Sequence, residues 1–377
     1  MFMDISSEMI HSLLPVFLVS TLGASAALVG VIEGAAEATA SITKVFSGWL
    51  SDQLGKRKLL AVLGYGLGAL SKPIFPLAVT PWEVFGARFA DRIGKGVRGA
   101  PRDALVADIT TPGMRGAAFG LRQSLDTIGA FVGPFIAIVL MVVLAGDIRA
   151  VFAWAVVPAV IAVILLVLGV EEPKRSHQAR SARAPVRLSE VRALGRPFWS
   201  VVIVAMVFSL ARFSEAFLIL RAIDVGLPSA LAPAVLILMN VVYSAGAAPA
   251  GSLADRMDRR VLLAGGLVML ACADLALAFL PSVGGVAAGV VLWGLHMALT
   301  QGLFAALVAD VAPERLRGSA FGVYNLATGM TLLVASSLAG VLWSIYGAGV
   351  TFATGAGFAV IALLGLWLAS DRGVTRP

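Results

Sequence analysis

Apolar stretches of about 20 residues recur along the whole chain, and that recurrence restricts its fold more than any other feature. A helix of that length rises about 30 Å, the thickness of a bilayer's hydrocarbon core. Only 14% of the residues are charged, against roughly 25% in an ordinary soluble domain. No soluble architecture buries so many helices that are apolar on every side. The runs lack period-2 alternation, so strands are not expected. Spans are expected near 4–22, 26–50, 59–80, 82–107, 114–144, 149–170, 197–223, 229–253, 260–281, 283–309, 318–346 and 350–370. No segment joins a basic leader to a short apolar stretch and a cleavage site, so the first run is expected to stay as a helix.

The loops sort by charge. Lys56, Arg57, Lys58, Arg115, Arg256, Arg259, Arg260, Arg315 and Arg317 fall in one alternating set. The other set holds little beyond Lys72 and Arg149. The positive-inside rule puts the first set in the cytoplasm, and an even number of spans then puts both termini there as well. The net charge of +7 is therefore read as topology, and no nucleic-acid partner is expected. Residues 171–196 are polar, basic and proline-containing, and read as a cytoplasmic linker between bundles 1–170 and 197–377. The single cysteine, Cys272, excludes an internal disulfide and any multi-cysteine metal site.

The two halves repeat. Ala104–Asp108 and Ala306–Asp310 both read Ala-Leu-Val-Ala-Asp, and each is followed by Arg-Gly and then Ala-Phe-Gly. Gly48-Trp-Leu-Ser-Asp52 with Gly55-Lys-Arg-Lys58 is matched by Gly251-Ser-Leu-Ala-Asp255 with Arg259-Arg260. Two matches at nearly one spacing imply duplication, and repeats of this size in a membrane chain point to a carrier with its site between them.

At these residues the chain resembles the major facilitator superfamily. Gly48-x-x-x-Asp52-x-x-Gly55-Lys56-Arg57-Lys58 is similar to the family's loop signature between helices 2 and 3, with a degenerate copy at Gly251–Arg260. Arg88 followed by Gly94 and Gly96 is similar to its helix-4 motif, and Gly129-x-x-x-Gly133-Pro134 to the helix-5 motif associated with antiporters. Ile136-Ala137 stand where that motif has Gly-Gly, and Asp91, Arg92 and Lys95 depart from most relatives. The resemblance implies an all-α membrane protein of twelve transmembrane helices in two pseudo-symmetric six-helix bundles. It also implies gating by Asp52, Lys56, Arg57, Arg88, Gly129, Gly133, Pro134 and Asp255.

Ionisable residues inside a span are costly and so mark function or a partner. Arg88, Arg92, Lys95 and Arg102 share one face of helix 4. Arg92 and Lys95 are expected to line the cavity, whereas Arg102 and Asp103 are expected to reach cytoplasmic water. The repeat counterparts of Arg92 and Lys95 are Gly294 and Met297, so the scaffold itself does not require charge there. Arg122, Gln123, Arg212, Glu215, His296, Tyr324 and Asn325 complete the expected cavity set. Glu8, Glu37 and Asp126 are the candidate proton-coupled carboxylates, and Glu37 could equally pair with a helix-4 arginine. Arg122 and Asp126 are spaced to pair at i, i+4. Asp4, Glu8 and His11 share one face and are the only metal candidates, although three residues on one helix rarely close a site.

No phosphate-binding loop, nucleophile elbow or hydrolase metal spacing occurs, so neither an enzyme nor a cofactor is expected. The expectation is a monomeric secondary transporter of the inner membrane. It would act by alternating access, with protons, the bilayer and a small molecule as its partners. Efflux of an anionic metabolite or metal chelate is favoured. A metal, cation or drug exporter, a proton-coupled importer and a non-transporting sensor remain as alternatives.

Overall fold

The computed structural model describes residues 1–54, 56–172, 194–254, 256–301, 303–313 and 316–370. Among these every regular element is helical. In chain order the helices of the first half are α1 (Phe2–Thr21), α2 (Ala26–Leu54), α3 (Arg57–Leu77), α4 (Pro81–Ile109), α5 (Arg115–Val143) and α6 (Ile148–Gly169). Those of the second half are α7 (Arg196–Asp224), α8 (Pro233–Ala254), α9 (Arg259–Phe279) and α10 (Val283–Thr300), the last continued by Leu303–Val311.

The helix Arg317–Ser370 is two helices joined at Gly347, which has φ 83° and ψ 176°. Only glycine adopts that backbone without strain, so the chain reverses there between α11 (317–346) and α12 (348–370).

Local chemistry sets the ends. Thr80 caps α4 by accepting from the Glu83 N–H, while the Glu83 carboxylate accepts from the Thr80 N–H, and Pro81 supplies the first turn. Asp147, Asp258 and Ser282 cap α6, α9 and α10 in the same way through side-chain oxygens. Pro15 removes one backbone donor from α1, and the helix widens to a π-type turn over Phe17–Thr21.

Among the described residues ten helices are long and apolar enough to cross a bilayer, with α11 and α12 counted together. The helix α4 is as long as α5 but falls outside that set, because seven of its residues from Arg88 to Asp103 are charged. A helix so charged needs an internal reason to lie among apolar neighbours.

Packing divides the chain into two units, Met1–Gly23 with Ala35–Pro185, and Ala24–Gly34 with Val186–Pro377. In the first, α3 and α4 pack closely, and α1 lies against α5 and α6. A Cβ on Gly94 would stand 2.6 Å from the Gly64 carbonyl oxygen, so α3 and α4 touch backbone to backbone. In the second unit α7 packs on the α11–α12 pair, and α9 lies against α10 and that same pair. Residues 24–34 rest on α11, where the Ala27 N–H donates to the Ser344 hydroxyl at 3.0 Å. The expected linker falls almost entirely outside the described residues.

Candidate functional site

The interior of the first unit holds a cluster of charge, and α4 supplies most of it. Arg88, Asp91, Arg92 and Arg98 are all buried there. Asp91 pairs with Lys72 of α3 at 2.8 Å, and Arg88 approaches the same carboxylate at 4.0 Å. Lys72 also donates to the Ser7 hydroxyl of α1 at 3.0 Å. The sequence reading placed Lys72 in a loop. The structure corrects this: the residue caps the end of Arg57–Ser71, is only 1% exposed, and turns inward. A buried carboxylate among arginines accounts for that course, since an uncompensated charge would be costly.

Further along α4, Arg92 reaches Glu37 of α2 at 3.3 Å, so one of the two readings offered for Glu37, pairing with a helix-4 arginine, is realised. Arg98 stacks over the Tyr65 ring at 4.8 Å and lies 4.0 Å from Asp4. Arg102 and Asp103 do not stand alone in water. Arg102 approaches Asp126 of α5 at 3.5 Å, and Asp103 accepts from Arg122 at 2.8 Å. Arg122 is also 3.7 Å from Asp126, at the i, i+4 spacing read from the sequence, and donates to Gln123 at 3.0 Å. Asp126 is therefore shared between two arginines.

Lys95 differs from its neighbours. It is exposed and makes no hydrogen bond or ion pair among the described residues, although Arg92, Glu37 and Glu8 are its electrostatic neighbours. It thus faces the side of α4 on which α1 and α2 present their carboxylates.

On α1, Glu8 and His11 meet at 3.4 Å. Asp4 instead accepts from the Met1 amino group at 2.9 Å and lies 4.0 Å from Arg98, so the three metal candidates do not converge. No group of three or more metal-ligating side chains occurs among the described residues. The two glycines of α5 explain how α1 comes so near. A Cβ on Gly129 would stand 2.9 Å from the Met1 carbonyl oxygen, and one on Gly133 2.7 Å from that of Ile5. Pro134 follows inside the same helix.

Of the remaining gating candidates, Arg57 is buried, bonds to the Ala104 carbonyl and forms a close ion pair with Asp108. Lys56 is exposed. Glu172, just past α6, accepts from the backbone N–H groups of Arg57 and Lys58 at 2.8 and 2.9 Å, and so caps α3 from outside the helix. The Asp52 side chain and Asp255 lie outside the described residues.

The second unit is more apolar. The helix α7 breaks between Ala211 and Ala216, and Arg212 and Glu215 approach each other at 3.8 Å across the break. His296 was expected in the cavity, but the structure buries it completely. Its Nδ1 bonds to the Gly266 carbonyl at 3.0 Å, and its ring packs on Phe208 and Trp293. Tyr324 is partly buried against the core formed by Phe198, Val202 and Val308, and Asn325 lies beside it, also partly buried. Sequence reasoning missed Asp274 of α9, a carboxyl buried completely. A lone acid within a span was signal enough to have found it.

A chain with two all-helical units, long apolar helices and a charged interior on α4 has the build of a polytopic membrane carrier. The chain belongs to the major facilitator superfamily: that family's model matches residues 1–242 and 216–377. It is 30% identical over 365 residues to an uncharacterised MFS-type transporter of Methanocaldococcus jannaschii, covering 95% of this chain and 90% of the relative. A multidrug resistance protein, MdtH of Photorhabdus laumondii, is 31% identical over 127 residues, which is 34% of this chain and 31% of that protein. Among solved structures, the nucleoside transporter NupG superposes with a TM-score of 0.81 at 13% identity, covering 98% of this chain and 96% of that one. At that identity the likeness speaks for the fold alone. The protein is thus a transporter of this family, a multi-pass membrane protein that moves small molecules by secondary transport.

Proposed function

We propose that this protein is a proton-coupled exporter of a small anionic molecule, a metabolite or a metal chelate. It would cross the inner membrane twelve times with both termini in the cytoplasm. Its six-helix bundles, 1–170 and 197–377, would alternate access as a monomer, with residues 171–196 linking them. The count of twelve takes α4 as a span and divides the last helix at Gly347.

Lys95 carries the reading. Cations on α4 at Arg88, Arg92, Arg98 and Arg102 have carboxylates near them, whereas Lys95 is exposed and has none in ion-pair range among the described residues. An exposed ammonium beside buried arginines is a ready partner for an incoming anion. Glu8, Glu37 and Asp126 lie in the same electrostatic neighbourhood as α4 and are the proposed proton-coupled carboxylates. Arg122, Gln123, Arg212, Glu215, Tyr324 and Asn325 are proposed as further contributors to substrate binding.

The test is flux in proteoliposomes of purified protein, using radiolabelled citrate, benzoate and inorganic phosphate under an imposed pH gradient. Wild-type flux of at least one anion is expected to follow the gradient and to collapse with a protonophore. Lys95→Gln should lower it about tenfold or more, the scale of one lost charge-assisted hydrogen bond, while Lys95→Arg should retain most of it. Unchanged flux of every anion in Lys95→Gln would end the anion reading. A second reading, drug export, is favoured by the local likeness to MdtH. It predicts that a deletion strain gains drug sensitivity, which Lys95→Gln protein still complements. Absence of any flux would favour a non-transporting sensor.

A further inference from the structure

The repeat that relates the two halves also relates two buried side chains. At the spacing that carries Asp108 onto Asp310, Lys72 falls on Asp274 and Asp91 falls on Trp293. In the first unit Lys72 and Asp91 neutralise each other at 2.8 Å. In the second unit the corresponding positions hold a carboxyl and an indole N–H. Both are fully buried, and both carboxyl oxygens and the Trp293 Nε1 have no hydrogen-bond partner among the described residues.

Among the described residues no counter-ion stands in for Lys72. The ionisable groups on the elements packed around α9 are engaged elsewhere. From α7, Arg221 donates to the Leu277 carbonyl and pairs with Asp224, and Arg212 approaches Glu215. From α10, His296 bonds to Gly266. The α11–α12 pair offers Arg317 at the exposed start of α11, Tyr324 against the α7 core and exposed Tyr346. An isolated carboxylate in such surroundings is far costlier than the neutral acid. In the first unit a lysine compensates the carboxylate, and in the second the compensation available is a proton.

The surroundings also supply a cover. A Cβ on Gly355 of α12 would lie 2.6 Å from Asp274 Oδ2 and 3.0 Å from Cε1 of Phe213, so the carboxyl, the glycine and that ring meet at one point. Phe213 belongs to the break in α7, and its ring also packs on Trp293, Phe217 and Phe352. A residue in a helix break is the kind of element that shifts when a span bends.

We propose that Asp274 is a proton-holding site of the second unit, occluded by Phe213 and opened when α7 rearranges at its break. The proton comes from water admitted by that opening, rests on the carboxyl while the site is shut, and returns to water at the next opening. Its use in turnover rests on the proton-coupled function proposed above. The site itself lies outside the carboxylates Glu8, Glu37 and Asp126 assigned there.

The test is infrared difference spectroscopy on the full-length protein in liposomes. Wild type minus Asp274→Asn should show the carbonyl stretch of a protonated carboxyl free of hydrogen bonds, undiminished between pH 7 and 9. In heavy water that band should shift slowly in wild type and at least about tenfold faster in Phe213→Ala, because the cover is gone. Should Asp274→Asn fail to fold, Asp274→Glu is expected to displace the band rather than abolish it. A carboxylate signal in place of the acid band, or equal exchange rates with and without Phe213, would overturn the assignment. No substrate is needed for this readout. Wild-type flux that ignores a pH gradient would thus defeat the proposed function without touching the band, and a missing band beside gradient-driven flux would defeat Asp274 alone.

Discussion

Lys72 and Asp91 form a deeply buried ion pair, with side chains 1% and 2% exposed. Such a pair adds little net stability over apolar residues of the same volume, but removing one member strands the other. Lys72→Met alone is expected to cost about 3–5 kcal/mol, and Asp91→Leu alone a similar amount. Nearby Arg88 would soften the loss of Lys72 and sharpen the loss of Asp91. The double variant should lose well under the sum, because neither charge remains to be stranded. Thermal unfolding in detergent measures all three, and simple additivity would show that the two residues are not coupled.

At the scale of helices, close packing separates glycines that are needed from those that are not. Gly133 lets α1 lie on α5, where a Cβ would meet the Ile5 carbonyl at 2.7 Å and the Glu8 Cβ at 2.8 Å. Gly133→Ala should destabilise by about 1–3 kcal/mol, the usual scale of overpacking. It should also move the Glu8–His11 pair, so pH-dependent flux is expected to change with it. Gly66 of α3 has nothing within 4 Å of a built Cβ. Gly66→Ala should be neutral or stabilising by up to about 1 kcal/mol, since alanine is the better helix former. A fall in melting temperature as large as that of Gly133→Ala would contradict this account.

The helices themselves were legible in the sequence because a span must be long and apolar, and that constraint is local. Their pairing was less legible because it depends on rotation and depth, which one sequence states weakly. Arg122 and Asp126 were readable as neighbours because both lie on one helix, but Asp103 and Arg102 join them from another. Lys72 was misread because Pro73 suggests a loop, and nothing nearby in sequence announces that Asp91 awaits it. His296 repeats the lesson, since its spacing on α10 fits a cavity face while its contacts bury it.

Across the whole molecule, the duplication predicts equivalent parts, and one ion pair allows a direct comparison. Arg57 pairs with Asp108 in the first half, and Arg259 with Asp310 in the second, at the same offset. Their surroundings differ. The first pair is 11% and 26% exposed, and its arginine also bonds to the Ala104 carbonyl within a helix start capped by Glu172. The second pair is 41% and 56% exposed. Solvent screens an exposed pair to about 0–1 kcal/mol, whereas a charge-assisted bond in a buried setting is worth about 1.5–3 kcal/mol. Asp108→Asn should therefore destabilise the protein clearly more than Asp310→Asn. Raising salt should shrink the second effect and leave most of the first. The exchange Arg57→Asp with Asp108→Arg should recover only part of the loss, since an aspartate cannot donate to Ala104. Equal losses from the two asparagine variants would mean that the halves are energetically alike as well as related in sequence. Unequal losses would extend to the helix ends the asymmetry seen within the two units, where α4 gathers charge in the first half and Trp293, Gly294 and Met297 stand at the positions of Asp91, Arg92 and Lys95 in the second.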